Sequence, residues 1–421
     1  MNAMRIGFAK RDITPPVGTL LAGYAGHRPC TGVHDRLWCK TLVLEQPDGV
    51  YALVALDLMC VDEALQERIS QAVAPLGIRP ERLIVTAIHS HAAPCGIIAG
   101  EGPLGTVNGE GAPTDENFAA YLQAVITAAA DSCRQALEHL EDFQLRKARG
   151  PMPAVATERH TGADPRGELV VLQLRTHSGR EVTIYNFPCH PTVMSAGNLL
   201  VTADLVASVE AQLDGEMSIF LNGAAGDIST RFTRRAATFA ECDRLGAIVA
   251  RQVRQLLQDE SWEEPAPIRG IHRRIMLRPR QVQTEAEAQL LLEETTARWQ
   301  QAIGEGEDPG KVRILKSYVE GAGVSLEFSR TMAGIEALHL PVTVFRFAGM
   351  KFAVVPGELF SSLQPESVAV IGYAGGYYRY IAPQQAYDDG WYEALAAILA
   401  PGEGENLVRE INELLRQLDE Q

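Results

Sequence analysis

No two of the seven cysteines pair in the sequence: they stand at 30, 39, 60, 95, 133, 189 and 242, an odd number with no C-x-x-C. That scatter excludes a disulfide framework and a thiolate zinc site and leaves reduced, buried thiols. Positive charge is also in short supply. Lys and Arg total 38 against 53 Asp and Glu, a formal net charge of −15. Such a field repels phosphate backbones and anionic lipid surfaces, which excludes nucleic acid as a partner. Aromatics are only 6% of the chain, a further mark against affinity for a lipid surface. No stretch approaches the roughly 20 apolar residues that span a bilayer, and Met1 to Pro16 lack an uninterrupted apolar segment. The expectation is a cytoplasmic protein with no stable membrane insertion.

What remains is ordinary globular composition, 46% hydrophobic and 22% charged. At 421 residues the chain is long enough for one large domain with a smaller appendage, or for two domains. Short β-like runs (Thr41 to Glu45, Val50 to Leu58, Leu83 to Ala87, Leu169 to Arg175, Val182 to Phe187, Ser218 to Leu221) alternate with helical stretches (Glu63 to Val73, Glu116 to Leu137, Asp204 to Leu213, Phe239 to Leu257). This is α/β patterning, and the near-continuous apolar strands predict central sheets covered on both faces. The stretch 282–335 reads as an inserted helical arm. An apolar run from Val342 to Val355 resumes the sheet, and a closing helix carries Leu407, Val408, Ile411, Leu414, Leu415 and Leu418 on one face. No signature of an oligomeric state is present.

Three apolar strands end in residues that can hold a metal. The first, Leu83 to Ile88, stops at His89-Ser90-His91, after which Pro94 forbids a central strand. Side chains two apart leave a strand on one side, so both imidazoles face the same way. The second, Val182 to Phe187, stops at Pro188-Cys189-His190-Pro191, and the proline after His190 makes a rigid mount of the kind a ligand needs. The third, ending at Val354-Val355-Pro356-Gly357, presents Glu358. Each feature alone also reads as structure: hydrogen-bonded loop histidines, a surface glutamate after a turn. Together, two imidazoles and a carboxylate make the His₂Glu set of catalytic zinc hydrolases. Cys189 is a poor nucleophile candidate, because neighbours in a strand point to opposite faces.

These segments, with Ile6-Gly-Phe-Ala-Lys-Arg-Asp-Ile-Thr-Pro-Pro16, Gly23-Tyr24, Gly32-Val-His-Asp-Arg36, Asp57, Thr202-Ala-Asp204 and Asn222-Gly-Ala-Ala-Gly-Asp-Ile-Ser229, resemble the catalytic domain of the neutral/alkaline, non-lysosomal ceramidases from residue 6 to about 395. The resemblance implies Zn²⁺ on His89, His190, Glu358 and a tyrosine that two others follow at seven and twelve residues. Tyr380, Tyr387 and Tyr392 reproduce that spacing, so Tyr380 is the implied fourth ligand. It further implies His91, Ser229 and Tyr392 around the scissile amide, with an arginine matched by Arg149, although the segment after Arg149 is shorter than the family's. Asp227 or Asp204 is then expected to accept a hydrogen bond from a ligand imidazole.

Two departures bear on substrate. Thr230 follows Ser229 where the family usually has proline, and a chain of this length is expected to lack the family's β-sandwich domain. The expected activity is zinc-dependent hydrolysis of an amide in a soluble N-acyl compound. Alternatives are an esterase or deacylase for a polar or sugar-containing metabolite, and a catalytically silent binding protein on the same fold.

Overall fold

A computed structural model of the chain describes residues 4–101, 116–332 and 334–420. The main strands are β1 (Arg5–Asp12), β2 (Trp38–Gln46), β3 (Gly49–Leu56), β4 (Ile78–Ala87), β5 (Glu141–Gly150), β6 (Leu169–Thr176), β7 (Glu181–Phe187), β8 (Met217–Asn222), β9 (Arg269–Leu277), β10 (Leu338–Phe347), β11 (Met350–Val354) and β12 (Val368–Ile371). The helices are α1 (Glu63–Val73), α2 (Glu116–Glu138), α3 (Leu205–Glu210), α4 (Phe239–Leu257), α5 (Glu285–Gly304), α6 (Pro309–Thr331), α7 (Gln384–Asp388), α8 (Tyr392–Leu395) and α9 (Glu403–Asp419).

Eight strands form one mixed sheet in the order β8-β7-β6-β5-β1-β2-β3-β4. The outer pairs β8/β7 and β3/β4 are parallel and the pairs between them antiparallel. A second sheet runs β9-β10-β11-β12. Alternation along the strands sorts side chains between layers. In β2, Val43 packs with Leu65 and Ile69 of α1 and Val125 and Ala129 of α2. Its neighbours Leu42 and Leu44 turn the other way, into a core shared with Phe347, Phe352 and Val354 of the second sheet. The far side of that sheet, through Leu340, Val342 and Val344, takes Leu407, Ile411 and Leu414 of α9. The result is helices, sheet, sheet, helix. The large sheet is therefore covered by helices on one face only, and by another sheet on the other.

Close approach of α2 to β1 depends on Gly7, where a Cβ would lie 1.8 Å from the Ala136 carbonyl oxygen. The stretch Val342 to Val355 is two strands, because Ala348 and Gly349 take positive φ values of 52° and 71° and fold the run into a tight hairpin. Between β9 and β10, α5 and α6 pack against each other, and α6 also lies against α8.

The two edge strands of the large sheet, β4 and β8, are joined by the chain that follows β12. Gly372 donates its N–H to the Asn222 carbonyl, Ala87 donates to Tyr373 and Gly375 to Val85. This bridge gathers the ends of β4, β7, β8 and β11 at one place.

Candidate metal centre

Each potential ligand is placed by backbone chemistry that starts at a strand end. After β4 the chain turns through His89, whose φ is +71°, a left-handed conformation uncommon for a residue with a side chain. Period-two geometry therefore does not operate at this strand end, since His89 lies past it; the turn itself brings the two imidazoles together, with Nε2 of His89 and of His91 3.1 Å apart. Asn222, fully buried at the end of β8, fastens the two histidine loops to each other. Its amide donates to the carbonyls of Ile88 (3.1 Å) and Cys189 (2.8 Å) and accepts from the Cys189 N–H (3.1 Å). Glu358 pairs in parallel with Tyr380 in a two-residue bridge, Glu358–Leu359 against Tyr380–Ile381, so the carboxylate and the phenol leave adjacent backbone positions.

The side chains converge. Glu358 Oε2 lies 3.5 Å from His89 Nε2 and 3.2 Å from His190 Nε2, and the ring nitrogens offered by His89, His91 and His190 all fall within 4.8 Å of one another. His89, His190 and Glu358 are 1%, 3% and 3% exposed, while His91 is half-buried. His89 Nδ1 is 2.8 Å from the Met59 carbonyl oxygen. A carbonyl only accepts, so Nδ1 carries the proton and the Nε2 lone pair faces the cluster. Burial pushes the His89 pKa down to about 3, partly opposed by Glu358. Burial also holds His91 and His190 well below the usual histidine range, with the neighbouring His89 adding to the effect at His91 and Arg159 at His190.

Glu358 provides the test of fit. Its Oε1 accepts a 2.6 Å hydrogen bond from the Tyr377 hydroxyl, but its Oε2 is buried with no donor. A carboxylate oxygen so placed, facing the Nε2 atoms of His89 and His190, is costly to bury without a cation. A tetrahedral zinc with bonds of 2.0–2.2 Å needs ligand atoms about 3.3–3.6 Å apart, close to the 3.5 and 3.2 Å that separate Glu358 Oε2 from the Nε2 atoms of His89 and His190. The residues fit a zinc ion. His91 stands with His89 and His190 as a group able to hold one.

Tyr380 and Tyr392 face the same space, their rings 6.5 Å apart and perpendicular. Burial raises both phenol pKa values; Glu358 contributes at Tyr380, while Arg159 opposes the rise at Tyr392. Ser229 lines a cavity with His91, His190, Tyr380 and Tyr392, and its Oγ accepts from the Arg231 N–H at 3.0 Å. Tyr387 is turned away, donating to the Leu399 carbonyl.

Arg149 does not join this group. It sits in β5, paired with Glu168 at 3.0 Å and donating to the Ser367 carbonyl, outside the lining of the cavities at the histidines. The arginine at the centre is Arg159, which sequence reading missed. It is buried, with Nη2 2.9 Å from His190 Nε2, and it donates to the Tyr392 hydroxyl and to Glu393 (3.1 Å). Its backbone N–H is fixed by the Asp227 carbonyl. The available signal was the Thr157-Glu-Arg-His160 segment, whose bridge to Ile228–Ser229 is a long-range pairing that local pattern does not reveal. The two aspartates are also occupied elsewhere. Asp204 accepts the backbone N–H groups of Val193, Met194 and Leu205, and Asp227 accepts from Ser361 N–H and Oγ. The acceptor for the His89 N–H is the Met59 carbonyl instead. Cys189 is buried, its thiol directed to the His190 carbonyl and its pKa pushed up by burial, which suits packing.

The sequence profile of the family described as neutral/alkaline non-lysosomal ceramidase, N-terminal, matches residues 4–218. No curated protein matches the chain. Among solved structures, the neutral ceramidase from Pseudomonas aeruginosa superposes with a TM-score of 0.73 at 15% identity, covering 98% of this chain and 73% of that one. A ceramidase complexed with C2 gives 0.72 at 15% identity, over 97% and 74%. At that identity the likeness is one of fold.

Proposed function

The chain belongs to the neutral/alkaline non-lysosomal ceramidase family, and from that premise we propose that it is a zinc-dependent hydrolase that cleaves the amide bond of an N-acyl compound. The observation that carries the reading is the partnerless Glu358 Oε2 set against the Nε2 atoms of His89 and His190. In this reading His89, His190 and Glu358 hold the ion, and Tyr380, which shares the bridge with Glu358, completes the set. Zinc bound there supplies a water with a pKa near 7 and a Lewis acid for the scissile carbonyl.

The chain's own groups do the rest. Arg159 places a permanent positive charge on the Tyr392 hydroxyl, which makes that O–H a stronger donor toward an oxygen gaining negative charge. Glu393, 0% exposed, holds Arg159 through a 3.1 Å ion pair and is itself held by His160 at 3.2 Å, so the donor pair is fixed before substrate arrives. His91 is neutral, and its Nδ1 is buried without a partner. It is placed to take a proton and pass it to the departing nitrogen. Ser229 lines the wall where the substrate amide would lie.

A soluble substrate is favoured over bilayer lipid by the net charge of −15, which repels anionic lipid surfaces. The test is a hydrolysis screen of zinc-loaded protein against N-acyl amides and simple esters of matched chain length. Amide cleavage supports the reading. Turnover of esters with none of amides replaces it with the esterase alternative.

A further inference from the structure

Two cavities meet at the cluster and differ in chemistry. They share Tyr24, His91, Tyr380 and Tyr392 in their walls. The larger, about 670 Å³, is walled mainly by apolar groups including Leu20, Leu21, Met59, Ile97, Val324 and Ala396. Its arginine, Arg379, is paired with Glu327 at 3.1 Å, and Glu320 and Glu358 also stand in its wall, so that cavity carries no excess of positive charge. The smaller, about 310 Å³, carries Arg159, Arg231, Arg234 and Arg313 against a single carboxylate, Glu320, among the described lining residues.

The ion pairs leave part of that positive charge unanswered. Glu393 serves Arg159, and Glu320 serves Arg313 at 3.2 Å. Among the described residues, Arg234 donates only to the backbone carbonyls of Thr192 and Val193. Arg231, half-buried, makes no side-chain hydrogen bond or ion pair among the described residues, and burial together with the nearby Arg159 and Arg313 depresses its pKa. In a chain of net charge −15, gathering four guanidinium groups in one small cavity costs stability through like-charge repulsion and desolvation. An anion in the cavity offsets that cost with charge-assisted, forked hydrogen bonds.

We propose that the substrate is an amide with an apolar acyl chain in the larger cavity and an anionic leaving part in the smaller one, its carboxylate or comparable anion held by Arg231, Arg234 and Arg313. This rests on the amidase reading and deepens it. Water breaks the C–N bond: the acyl carbon gains the oxygen and leaves as a carboxylate, and the nitrogen takes both protons of the water and leaves as an ammonium that keeps the anionic group. An N-acyl amino acid has this composition, whereas a neutral N-acyl amide leaves the second cavity's charge unpaired.

The experiment compares N-octanoylglycine with N-octanoylglycinamide, which differ only in a carboxylate against a carboxamide. On zinc-loaded wild type, kcat/KM is expected to favour the acid by about tenfold or more, the scale of one charge-assisted contact. Arg231→Gln and Arg313→Gln should each lower that ratio by about threefold or more, and Arg231→Lys should restore part of it, on the same scale. Equal kcat/KM for the two compounds in wild type, or a ratio unmoved in both Gln variants, overturns the proposal while leaving amide hydrolysis intact. If neither compound is cleaved, the amidase reading falls. Calorimetric titration of wild type with the same two compounds then decides the anion site alone, since equal affinities overturn it and a preference for the acid supports it.

Discussion

Gly23 is the position where a single methyl group should disable the site without touching a ligand. Its φ is +84°, and a Cβ there would lie 2.3 Å from His91 Cγ and 2.6 Å from Cδ2 and Nδ1. To reach ordinary contact at 3.4 Å the ring must retreat by about 1.1 Å. Nothing behind it gives way easily. His91 Nε2 is already 3.1 Å from His89 Nε2, and the ring stands edge-on to Tyr24 at 4.9 Å and to His190 at 5.7 Å. A displacement near 1 Å in a positioned group costs on the order of 10²-fold in rate, and the left-handed backbone adds about 1–2 kcal/mol of strain once a Cβ is present. Gly23→Ala should therefore lower kcat by roughly two orders of magnitude and destabilise the fold by about 2–4 kcal/mol. Zinc content should stay near that of wild type, because the three atoms nearest the new methyl all belong to His91. The assay is kcat on an N-acyl amide alongside zinc analysis and thermal unfolding. A variant with kcat within about twofold of wild type would refute the reasoning, since an effect that small corresponds to less than about 0.5 kcal/mol.

Two further outcomes follow from the same geometry. His91→Ala should keep most of the zinc and lose most of the turnover, while His89→Ala loses both; equal metal loss in the two variants would place His91 among the ligands, a role its position beside His89 and His190 permits. In metal-free protein, folded His89 stays neutral down to about pH 3, whereas the unfolded residue takes a proton near pH 6.5. Its contribution to stability is therefore present above pH 6.5 and is lost as the pH falls toward 3. The stability of wild type relative to His89→Gln should shrink by about 2 kcal/mol between pH 7.5 and 5, measured by denaturant unfolding in chelator. A gap that is constant or widens on acidification contradicts the assigned protonation.

The strands that were legible in the sequence are the apolar ones. Those spanning Trp38–Gln46, Leu169–Thr176 and Glu181–Phe187 are buried nearly throughout, so their composition alone distinguishes them. The strands Glu141–Gly150 and Arg269–Leu277 went unread because charged residues interrupt both, Glu141, Asp142, Arg146, Lys147 and Arg149 in the first and Arg269, Arg273 and Arg274 in the second, and their burial is intermittent. They take their conformation from partners distant in sequence. The same division holds at the site. His89, His190 and Glu358 each end an apolar run, a local signal. Arg159 enters through a two-residue bridge to Ile228–Ser229, and Asn222 acts by tying Ile88 to Cys189; both depend on where loops meet. Arg149 lies outside the cluster for that reason, since spacing along the chain does not tell which residue a fold turns inward. The helix Glu285–Gly304 was visible from its Glu- and Gln-rich composition and Pro309–Thr331 as a second helical piece of the same arm, but the positions Gly310, Arg313, Ser317 and Glu320 lend to the cavity wall were not.

The central claim is that amide hydrolysis runs on a metal held by His89, His190 and Glu358. Its most direct test strips the protein with chelator, returns zinc in measured steps and follows octanoate release from N-octanoylglycine, with Glu358→Gln treated in parallel. Activity should be absent after stripping and rise in proportion to zinc up to one equivalent per chain, and the variant should neither retain the ion nor recover turnover. Cleavage that survives complete stripping, or a Glu358→Gln protein that binds zinc and turns over like wild type, would contradict the account.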